Sequence, residues 1–171
     1  MSSRSYNVLF LCTGNSARSI LAEALINLHV DSRFNGFSAG SLPKGQVHPL
    51  ALQLLEQKNI STQGLRSKSW NEFATPGVPT MDFVFTVCDN AAVEVCPIWP
   101  GQPITAHWGV EDPAALEGTD KQKMEGFKKA LRELENRIRL FVSLPIDKLE
   151  HTYIKQRVAE IGRKPTSDTT P

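Results

Sequence analysis

The sequence has few cysteines, no excess of charge of either sign and no apolar run long enough to span a membrane. It contains 171 residues, of which 19 are basic and 18 are acidic, for a net charge of +1. This balance provides neither the basic surface that nucleic-acid binding needs nor an acidic tail. Three cysteines are an odd number, which argues against a secreted disulfide framework. Since no signal-peptide pattern follows Met1, we expect a cytoplasmic protein. The short apolar runs and the balanced charge predict that it binds neither membranes nor nucleic acid.

Short apolar runs alternate with helical patterns along the chain. The runs predict strands at 7–11, 34–40, 82–87 and 104–108, and the helical patterns predict helices at 20–28, 48–59 and 120–142. The long helix has an apolar stripe that is typical of a core-facing side, formed by Met124, Phe127, Leu131, Leu134, Ile138 and Phe141. Strands that alternate with helices predict an α/β fold, namely a single-domain parallel four-stranded sheet flanked by helices.

This pattern is interrupted at Leu144 and Pro145. We therefore expect residues 1–143 to form the domain and residues 144–163 to form a C-terminal helical extension. The extension carries an apolar face formed by Leu149, Tyr153, Ile154, Val158 and Ile161. We expect this face to pack on the domain or on a second copy of the chain, and to lie outside the active site. The expected oligomeric state is a monomer. Residues 164–171 are small and polar, which predicts a disordered tail.

The loop after the first predicted strand contains a cysteine and an arginine separated by five residues, Cys12 and Arg18. In an α/β sheet, ligands bind at the carboxyl ends of the strands, where this loop lies. Its backbone N–H groups and the following helix N-terminus suit a tetrahedral oxyanion. The guanidinium of Arg18 would contact two oxygens of that anion. The candidate substrate-binding residues are Thr13, Gly14, Asn15, Ser16, Ala17, Arg18 and Ser19.

The same surroundings act on the thiol of Cys12. A helix N-terminus and a nearby arginine lower the pKa of a thiol, so we expect a thiolate at neutral pH, with a hydrogen bond from Ser19. A thiolate beside a bound oxyanion is placed to attack its central atom. The alternative is that Cys12 is a small buried residue that only fills space.

The segment Cys-Thr-Gly-Asn-Ser-Ala-Arg-Ser at positions 12–19 resembles the phosphate loop of the low-molecular-weight tyrosine phosphatases and of the arsenate reductases that share their fold. Asp112 and Pro113 resemble the Asp-Pro pair that supplies the general acid in that superfamily. The similarity also includes Phe37-Ser38-Ala39-Gly40 and His107-Trp108-Gly109. The resemblance implies a phosphatase-like fold with Cys12, Arg18 and Asp112 in catalysis, and it is compatible with either activity.

The other two cysteines favour the reductase. Cys88 follows the third predicted strand and is expected at the same sheet edge as Cys12, and Cys96 lies eight residues later. Three thiols in this arrangement would form a relay by thiol–disulfide exchange. The segment that contains Cys88 and Cys96 also resembles the redox segment of thioredoxin-coupled arsenate reductases. The alternatives are buried packing and metal binding, and no group of cysteines and histidines has the spacing of zinc ligands, so no metal site is predicted.

Three departures from the family pattern refine this interpretation. Ala17 stands where many relatives carry a second loop cysteine, which excludes a disulfide within the loop. Ala114 and Ala115 follow the Asp-Pro pair where phosphatases usually have aromatic residues. Some reductases bind potassium beside the loop, and three residues match those positions (Asn15, Glu23 and Ser38). Ser69 stands at the position where those reductases have an acidic potassium ligand, so whether this protein binds potassium stays open.

The sequence therefore predicts an arsenate reductase that needs no tightly bound cofactor and uses an external thiol reductant. Thioredoxin is the expected partner, with glutaredoxin and glutathione as the alternative. The second candidate function is a tyrosine or small-molecule phosphatase that uses Cys12, Arg18 and Asp112 alone. A protein that only binds an oxyanion would need neither Asp112 nor three thiols, which argues against that third function.

Overall fold

The structure, a computed structural model, describes residues 4–28, 33–88 and 99–163. Its central feature is a sheet of four parallel strands in the order β2–β1–β3–β4. The strands are β1 (Tyr6–Cys12), β2 (Phe34–Gly40), β3 (Phe83–Thr86) and β4 (Ile104–His107). The predicted α/β fold is confirmed. Because β1 and β3 are parallel neighbours, with Leu11 opposite Thr86, the residues that follow both strands lie at one edge of the sheet.

Four helices in the described part of the chain flank the sheet: α1 (Arg18–Leu28), α2 (Pro49–Gln57), α3 (Asp120–Val142) and α4 (His151–Arg163). Local chemistry explains where they begin and end. The side chain of His48 accepts from the backbone N–H of Leu50 at the start of α2, and Asn59 adopts a φ of 59° just after its end. Thr119 and Gln122 form a capping box at the start of α3. No helix among the residues that the structure describes is long and apolar enough to cross a bilayer.

The strand β1 separates two apolar cores because its side chains alternate between the faces of the sheet. Val8 and Phe10 point into the larger core, which contains the buried faces of the four helices. Leu9 and Leu11 point into a smaller core with Trp70 and other residues of a 3₁₀ turn and loops. Burial on both faces explains why β1 is continuously apolar and identifies it as the rigid support of the loop that follows.

The two C-terminal helices pack as amphipathic elements. Every residue of the predicted stripe on α3, from Met124 to Phe141, is buried. On α4, Ile154, Val158 and Ile161 are buried. Tyr153 was predicted to share that face, but it is 48% exposed, because only positions spaced three or four residues apart along the helix point at the sheet. The extension therefore packs on the domain. The predicted tail, 164–171, lies outside the described residues.

Candidate active site

The loop between β1 and α1 turns its carbonyl oxygens outward. The carbonyls of Thr13 and Gly14 accept from the N–H groups of Leu42 and Lys44, both at 3.0 Å. The carbonyl of Ser16 accepts from the N–H of His48 at 2.9 Å. In a trans peptide the N–H points opposite to the preceding carbonyl, so the N–H groups of residues 14, 15 and 17 point inward. The loop is therefore a ring of amide donors, as an oxyanion site requires.

Two backbone features keep this ring in place. Asn15 has a φ of 44°, a left-handed conformation that bends the loop around the sulfur of Cys12. Gly40, at the end of β2, lies directly beneath the loop. A Cβ on Gly40 would lie 2.4 Å from the carbonyl oxygen of Thr13 and 2.8 Å from that of Cys12. Only glycine fits at this position, because both neighbours are backbone atoms.

Cys12 lies at the bottom of the loop and is 4% exposed. Its Sγ is 3.0 Å from the Oγ of Ser19 and accepts from the N–H of Asn15 at 3.2 Å. Since the Oγ of Ser19 accepts from the Nδ2 of Asn15 at 2.7 Å, the hydroxyl hydrogen of Ser19 is available to the sulfur. The predicted contact between Ser19 and Cys12 is present.

The predicted direction of the Cys12 pKa is wrong. Burial raises the pKa of the Cys12 thiol above its ordinary value, and the nearby Cys88 raises it further. The hydrogen bond from Ser19 and the charge of Arg18 act in the opposite direction but are outweighed. The physical reason is desolvation, which disfavours an anion that has lost contact with water. The hydrogen bonds from Ser19 and from the N–H of Asn15 favour the ionised form of this sulfur.

Arg18 begins α1 and lies at the edge of the loop. Its Nη1 donates to the carbonyl oxygen of Val110 at 3.0 Å, and its Nη2 is 3.5 Å from the carboxylate of Asp112. The other carboxylate oxygen of Asp112 accepts from the N–H of Ala114 at 2.9 Å, which fixes the side chain at the start of a 3₁₀ turn. The structure thus brings the predicted arginine and the predicted acid together, although 94 positions separate them in sequence.

Cys88 follows β3 at the same edge, as predicted. Its Sγ lies 3.7 Å from the Oγ1 of Thr13, so a second thiol borders the oxyanion loop. Cys12 and Cys88 are both buried and are not joined in a disulfide. Cys96, the third predicted catalytic cysteine, lies outside the described residues.

Arg18, Cys88 and Asp112 border one cleft beside the loop, with a volume of about 590 Å³. It is lined by Arg18, Cys88, His107, Gly109, Val110, Glu111, Asp112 and Gly162. Gly162 directly follows the predicted apolar face of the extension, and none of the residues of that face lines this cleft. The apolar face of α4 packs in the core, and the end of the helix, at Gly162, reaches the edge where the cleft opens.

A buried ion pair lies beneath the loop. The Nζ of Lys68 is 3.7 Å from a carboxylate oxygen of Glu23, which also accepts from the hydroxyl of Ser38. The backbone N–H of Lys68 donates to the Oδ1 of Asn15 at 2.9 Å. Burial lowers the pKa of Lys68 and raises that of Glu23. This pair is connected through Asn15 and Ser19 to the sulfur of Cys12.

The same contacts decide whether potassium fits. The side chains that matched a potassium site, Asn15, Glu23 and Ser38, already bond one another or Lys68. The ammonium of Lys68 also places a positive charge where a second cation would be repelled. These residues therefore do not fit a potassium ion. Within the described ranges, no three histidine, cysteine or acidic residues are grouped so that they could hold a metal.

Three contributors to the site carry no sequence signal. Lys68 lies in a loop between elements, and nothing in its neighbours indicates burial. The contribution of Val110 is a backbone carbonyl, which no side chain encodes. Gly162 resembles any helical glycine until its close contact with β4 is known. Each depends on a contact between distant parts of the chain.

Comparisons with known proteins identify the family of this chain. A family model described as low molecular weight phosphotyrosine protein phosphatase matches residues 7–155. An arsenate reductase of Bacillus licheniformis is 34% identical over 135 residues, which are 78% of this chain and 93% of that protein. An arsenate reductase of Bacillus subtilis is 31% identical over 134 residues, with the same shares of both chains.

Solved structures give the same result. An arsenate reductase from Archaeoglobus fulgidus has a TM-score of 0.63 at 26% identity, and the match includes 80% of this chain and 99% of that protein's chain. A thioredoxin-dependent arsenate reductase from Corynebacterium glutamicum has a TM-score of 0.54 at 28% identity, and this chain spans 65% of its length. The chain belongs to the low molecular weight phosphotyrosine protein phosphatase family.

Proposed function

We propose that this protein is an arsenate reductase. Arsenate oxidises Cys12, and the oxidation passes from Cys12 to Cys88, then to Cys96, and finally to an external thiol reductant. The observation that carries the proposal is the position of Cys88, whose sulfur is 3.7 Å from the Oγ1 of Thr13 in the oxyanion loop. Phosphoryl transfer needs one thiol, whereas reduction of a bound oxyanion needs a second thiol within reach of the first. The two Bacillus relatives, named arsenate reductases, support the same activity.

In the first step, the sulfur of Cys12 attacks the arsenic atom of arsenate held by the loop amides and Arg18. One arsenic–oxygen bond breaks, and Asp112 donates a proton to the oxygen that leaves as water. Because burial raises the pKa of the Cys12 thiol, its proton passes to an oxygen of the bound arsenate as the sulfur attacks. Ser19 and the N–H of Asn15 then stabilise the developing negative charge on sulfur.

In the second step, the sulfur of Cys88 attacks the sulfur of Cys12. A disulfide forms, the sulfur–arsenic bond breaks, and its electron pair remains on arsenic, which leaves as arsenite. Cys96 then attacks Cys88, which releases Cys12 as a thiol and leaves a disulfide between Cys88 and Cys96. An external dithiol reduces that disulfide by the same chemistry.

Thioredoxin is the proposed reductant, because the Corynebacterium neighbour is a thioredoxin-dependent enzyme. The test is arsenate-dependent oxidation of NADPH in two mixtures. One contains thioredoxin and thioredoxin reductase, and the other contains glutathione, glutaredoxin and glutathione reductase. We expect turnover in the first mixture only. Turnover only in the second would replace the partner, and no turnover in either would overturn the proposed function.

The family match also supports a second candidate function, a phosphatase that uses Cys12, Arg18 and Asp112 alone. The variant Cys88→Ser separates the two activities. We expect it to lose arsenate turnover and to keep most hydrolysis of an aryl phosphate, since Cys88 has no role in phosphoryl transfer. Cys12→Ser is the matched control and should lose both activities. If Cys88→Ser reduces arsenate at the wild-type rate, the relay through Cys88 is wrong. If the wild type hydrolyses the aryl phosphate and reduces no arsenate, the phosphatase becomes the better assignment.

We infer that the enzyme works without potassium, because the ammonium of Lys68 already neutralises Glu23 beneath the loop. Steady-state arsenate reduction should be equal in potassium chloride and sodium chloride of the same ionic strength. Choline chloride serves as the control for a general salt effect. A rate that depends specifically on potassium would contradict the inference.

A further inference from the structure

The last turn of α4 lies against the end of β4 and forms part of the cleft wall. Gly162 borders the cleft together with Arg18 and Asp112. A Cβ on Gly162 would lie only 2.1 Å from the carbonyl oxygen of His107 and 2.8 Å from the Cδ1 of Trp108. The helix can approach β4 this closely only because residue 162 has no side chain. The family model ends at residue 155, so this turn lies beyond the matched region.

The same helix holds the segment that leaves β4. The indole N–H of Trp108 donates to the carbonyl oxygen of Val158 in α4 at 2.9 Å. Trp108 is fully buried and stacks on Phe85, with ring centroids 4.0 Å apart. From α3, the Nη1 of Arg137 donates to the carbonyl oxygens of Trp108 and Gly109 at 2.9 and 2.7 Å. Helices α3 and α4 thus fix this segment from two directions.

This segment determines the position of Arg18. Val110 follows Gly109 directly, and its carbonyl accepts from the Nη1 of Arg18 at 3.0 Å. A shift of Trp108 would move Val110 and, through this hydrogen bond, the guanidinium of Arg18, which is proposed to hold the oxyanion. Bidentate contacts depend on orientation, so a small displacement weakens them.

We propose that α4 is a substrate-selecting element of this enzyme. Its last turn, at Gly162, is a wall that limits the size of any group attached to the oxyanion. Through Val158 and Trp108, the helix also positions Arg18 for a small inorganic oxyanion. The proposal deepens the proposed function and rests on it, since it explains how a fold shared with phosphatases favours arsenate over aryl phosphates.

The test moves the last turn of α4 away from β4 and measures ligand binding. In the background Cys12→Ser, in which neither ligand reacts, calorimetry gives the Kd of inorganic phosphate and of phenyl phosphate. Gly162→Val places a branched side chain against the backbone of His107 and should displace the turn. We expect phosphate to bind about fivefold more weakly, as when one hydrogen bond to a charged group is impaired. Phenyl phosphate should lose less affinity or gain some, because the wall has moved.

Two further variants keep the test decisive. Ile154→Ala removes a buried side chain at the other end of α4, where Ile154 borders a separate cavity with Tyr6 and Ile104. It should lower the Tm without changing the ratio of the two Kd values. Gly162→Ala makes a smaller displacement and should change the ratio in the same direction as Gly162→Val, so it serves if the valine variant does not fold.

The proposal is overturned if Gly162→Val and Gly162→Ala weaken both ligands by the same factor or leave both unchanged. It is also overturned if Ile154→Ala changes the ratio equally, because α4 would then act only through stability. Failure of the proposed function gives a different result. In that case the wild-type enzyme does not reduce arsenate in either coupled assay, while the ratio of the two Kd values still responds to Gly162.

Discussion

Arg18 connects the oxyanion loop, the exit of β4 and the candidate acid. Its guanidinium donates to the carbonyl of Val110 at 3.0 Å, lies 3.5 Å from Asp112 and borders the cleft. A planar group with donors on several sides can hold these partners and an anion together, whereas an ammonium acts as a point charge. Arg18 is therefore the residue at which charge and geometry can be separated experimentally.

The variant Arg18→Lys should lower kcat/KM for arsenate by about 10²-fold although it keeps the positive charge, since contacts of this type contribute about 10²–10³ in rate. Steady-state kinetics measures the loss. Lys44→Arg, a change between the same two residue types at the edge of the loop, is the matched control and should retain most activity. If Arg18→Lys keeps a rate near that of the wild type, the guanidinium does not act in the site.

Ser19 acts on the ionisation of Cys12. Its hydroxyl lowers the pKa of a thiol that burial raises, so Ser19→Ala should raise that pKa further. In a background of Cys88→Ser and Cys96→Ser, alkylation by iodoacetamide as a function of pH reports Cys12 alone. Loss of a hydrogen bond to a charged group should slow alkylation at neutral pH by about tenfold and shift the profile to higher pH. Ser19→Thr keeps the hydroxyl and should restore the profile, and an unchanged profile for Ser19→Ala would contradict the role of Ser19.

At this scale, the sequence predicts residue types better than their ionisation. The spacing of Cys12 and Arg18 and the small residues between them predict the loop, and the structure places all of them at the end of β1. The predicted fall in the pKa of Cys12 is wrong because sequence indicates neighbouring charges but not the depth of burial. The contact between Thr13 and Cys88 at 3.7 Å follows from strand order, which the sequence pattern also predicts.

Strand β1, its loop and helix α1 form the element that carries the site, and the pair of Lys68 and Glu23 supports it from below. The pair also reaches β2, through Ser38. Replacing one partner of a buried ion pair leaves the other charge without compensation, which costs more than the intact pair contributes. Replacing Lys68 or Glu23 therefore tests how strongly the stability of the protein depends on the ion pair beneath the loop.

The variant Lys68→Met should lower the free energy of unfolding by about 3 kcal/mol near neutral pH. Without the ammonium, the pKa of Glu23, already raised by burial, should rise further. A group whose pKa is higher in the folded state stabilises at low pH and loses that contribution as pH rises through the folded value. The deficit relative to the wild type should therefore grow from about pH 5 to pH 8.

Urea unfolding at several pH values measures this deficit. The double variant Lys68→Met with Glu23→Gln removes both charges and is the control, because it should recover part of the stability and flatten the pH dependence. A deficit that is constant over this range would show that the lysine stabilises the loop only by packing.

Elements with strong periodicity are predictable from this sequence, and contacts between them are not. The stripe on α3 and the four strands are visible because burial recurs at a fixed spacing. The close approach of α4 to the end of β4 depends on the missing side chain of Gly162, which is not a periodic feature. The interaction of Lys68 with Glu23 joins residues 45 positions apart and leaves no local pattern.

At the scale of the whole molecule, the parallel sheet assembles the site. The residues after β1, β3 and β4 meet at one edge, which brings Cys12, Cys88 and Asp112 into one region. Helix α4 closes the outer side of β4 and completes the cleft at Gly162. The proposed relay would pass oxidation from Cys12 to Cys88, both of which are buried at this edge.

The full relay predicts a different covalent product for each cysteine variant. Without an external reductant, the wild-type protein should release one arsenite per chain and end with Cys88 and Cys96 joined and Cys12 reduced. Cys96→Ser should also release one arsenite but end with Cys12 joined to Cys88. Cys88→Ser should release none and retain arsenic on Cys12. Peptide mapping by mass spectrometry identifies each product, with phosphate in place of arsenate as the control that oxidises nothing.

The geometry of a disulfide makes this test strict. A disulfide requires Cα atoms within about 7 Å, so Cys88 must be able to approach first Cys12 and then Cys96. We predict that the segment between Cys88 and Cys96, which lies outside the described residues, rearranges by local unfolding during the second exchange. Hydrogen exchange should then differ between the reduced and oxidised proteins in this segment more than in β1. If arsenate never joins Cys88 to Cys96, the relay is wrong, and the phosphatase becomes the better assignment for this site.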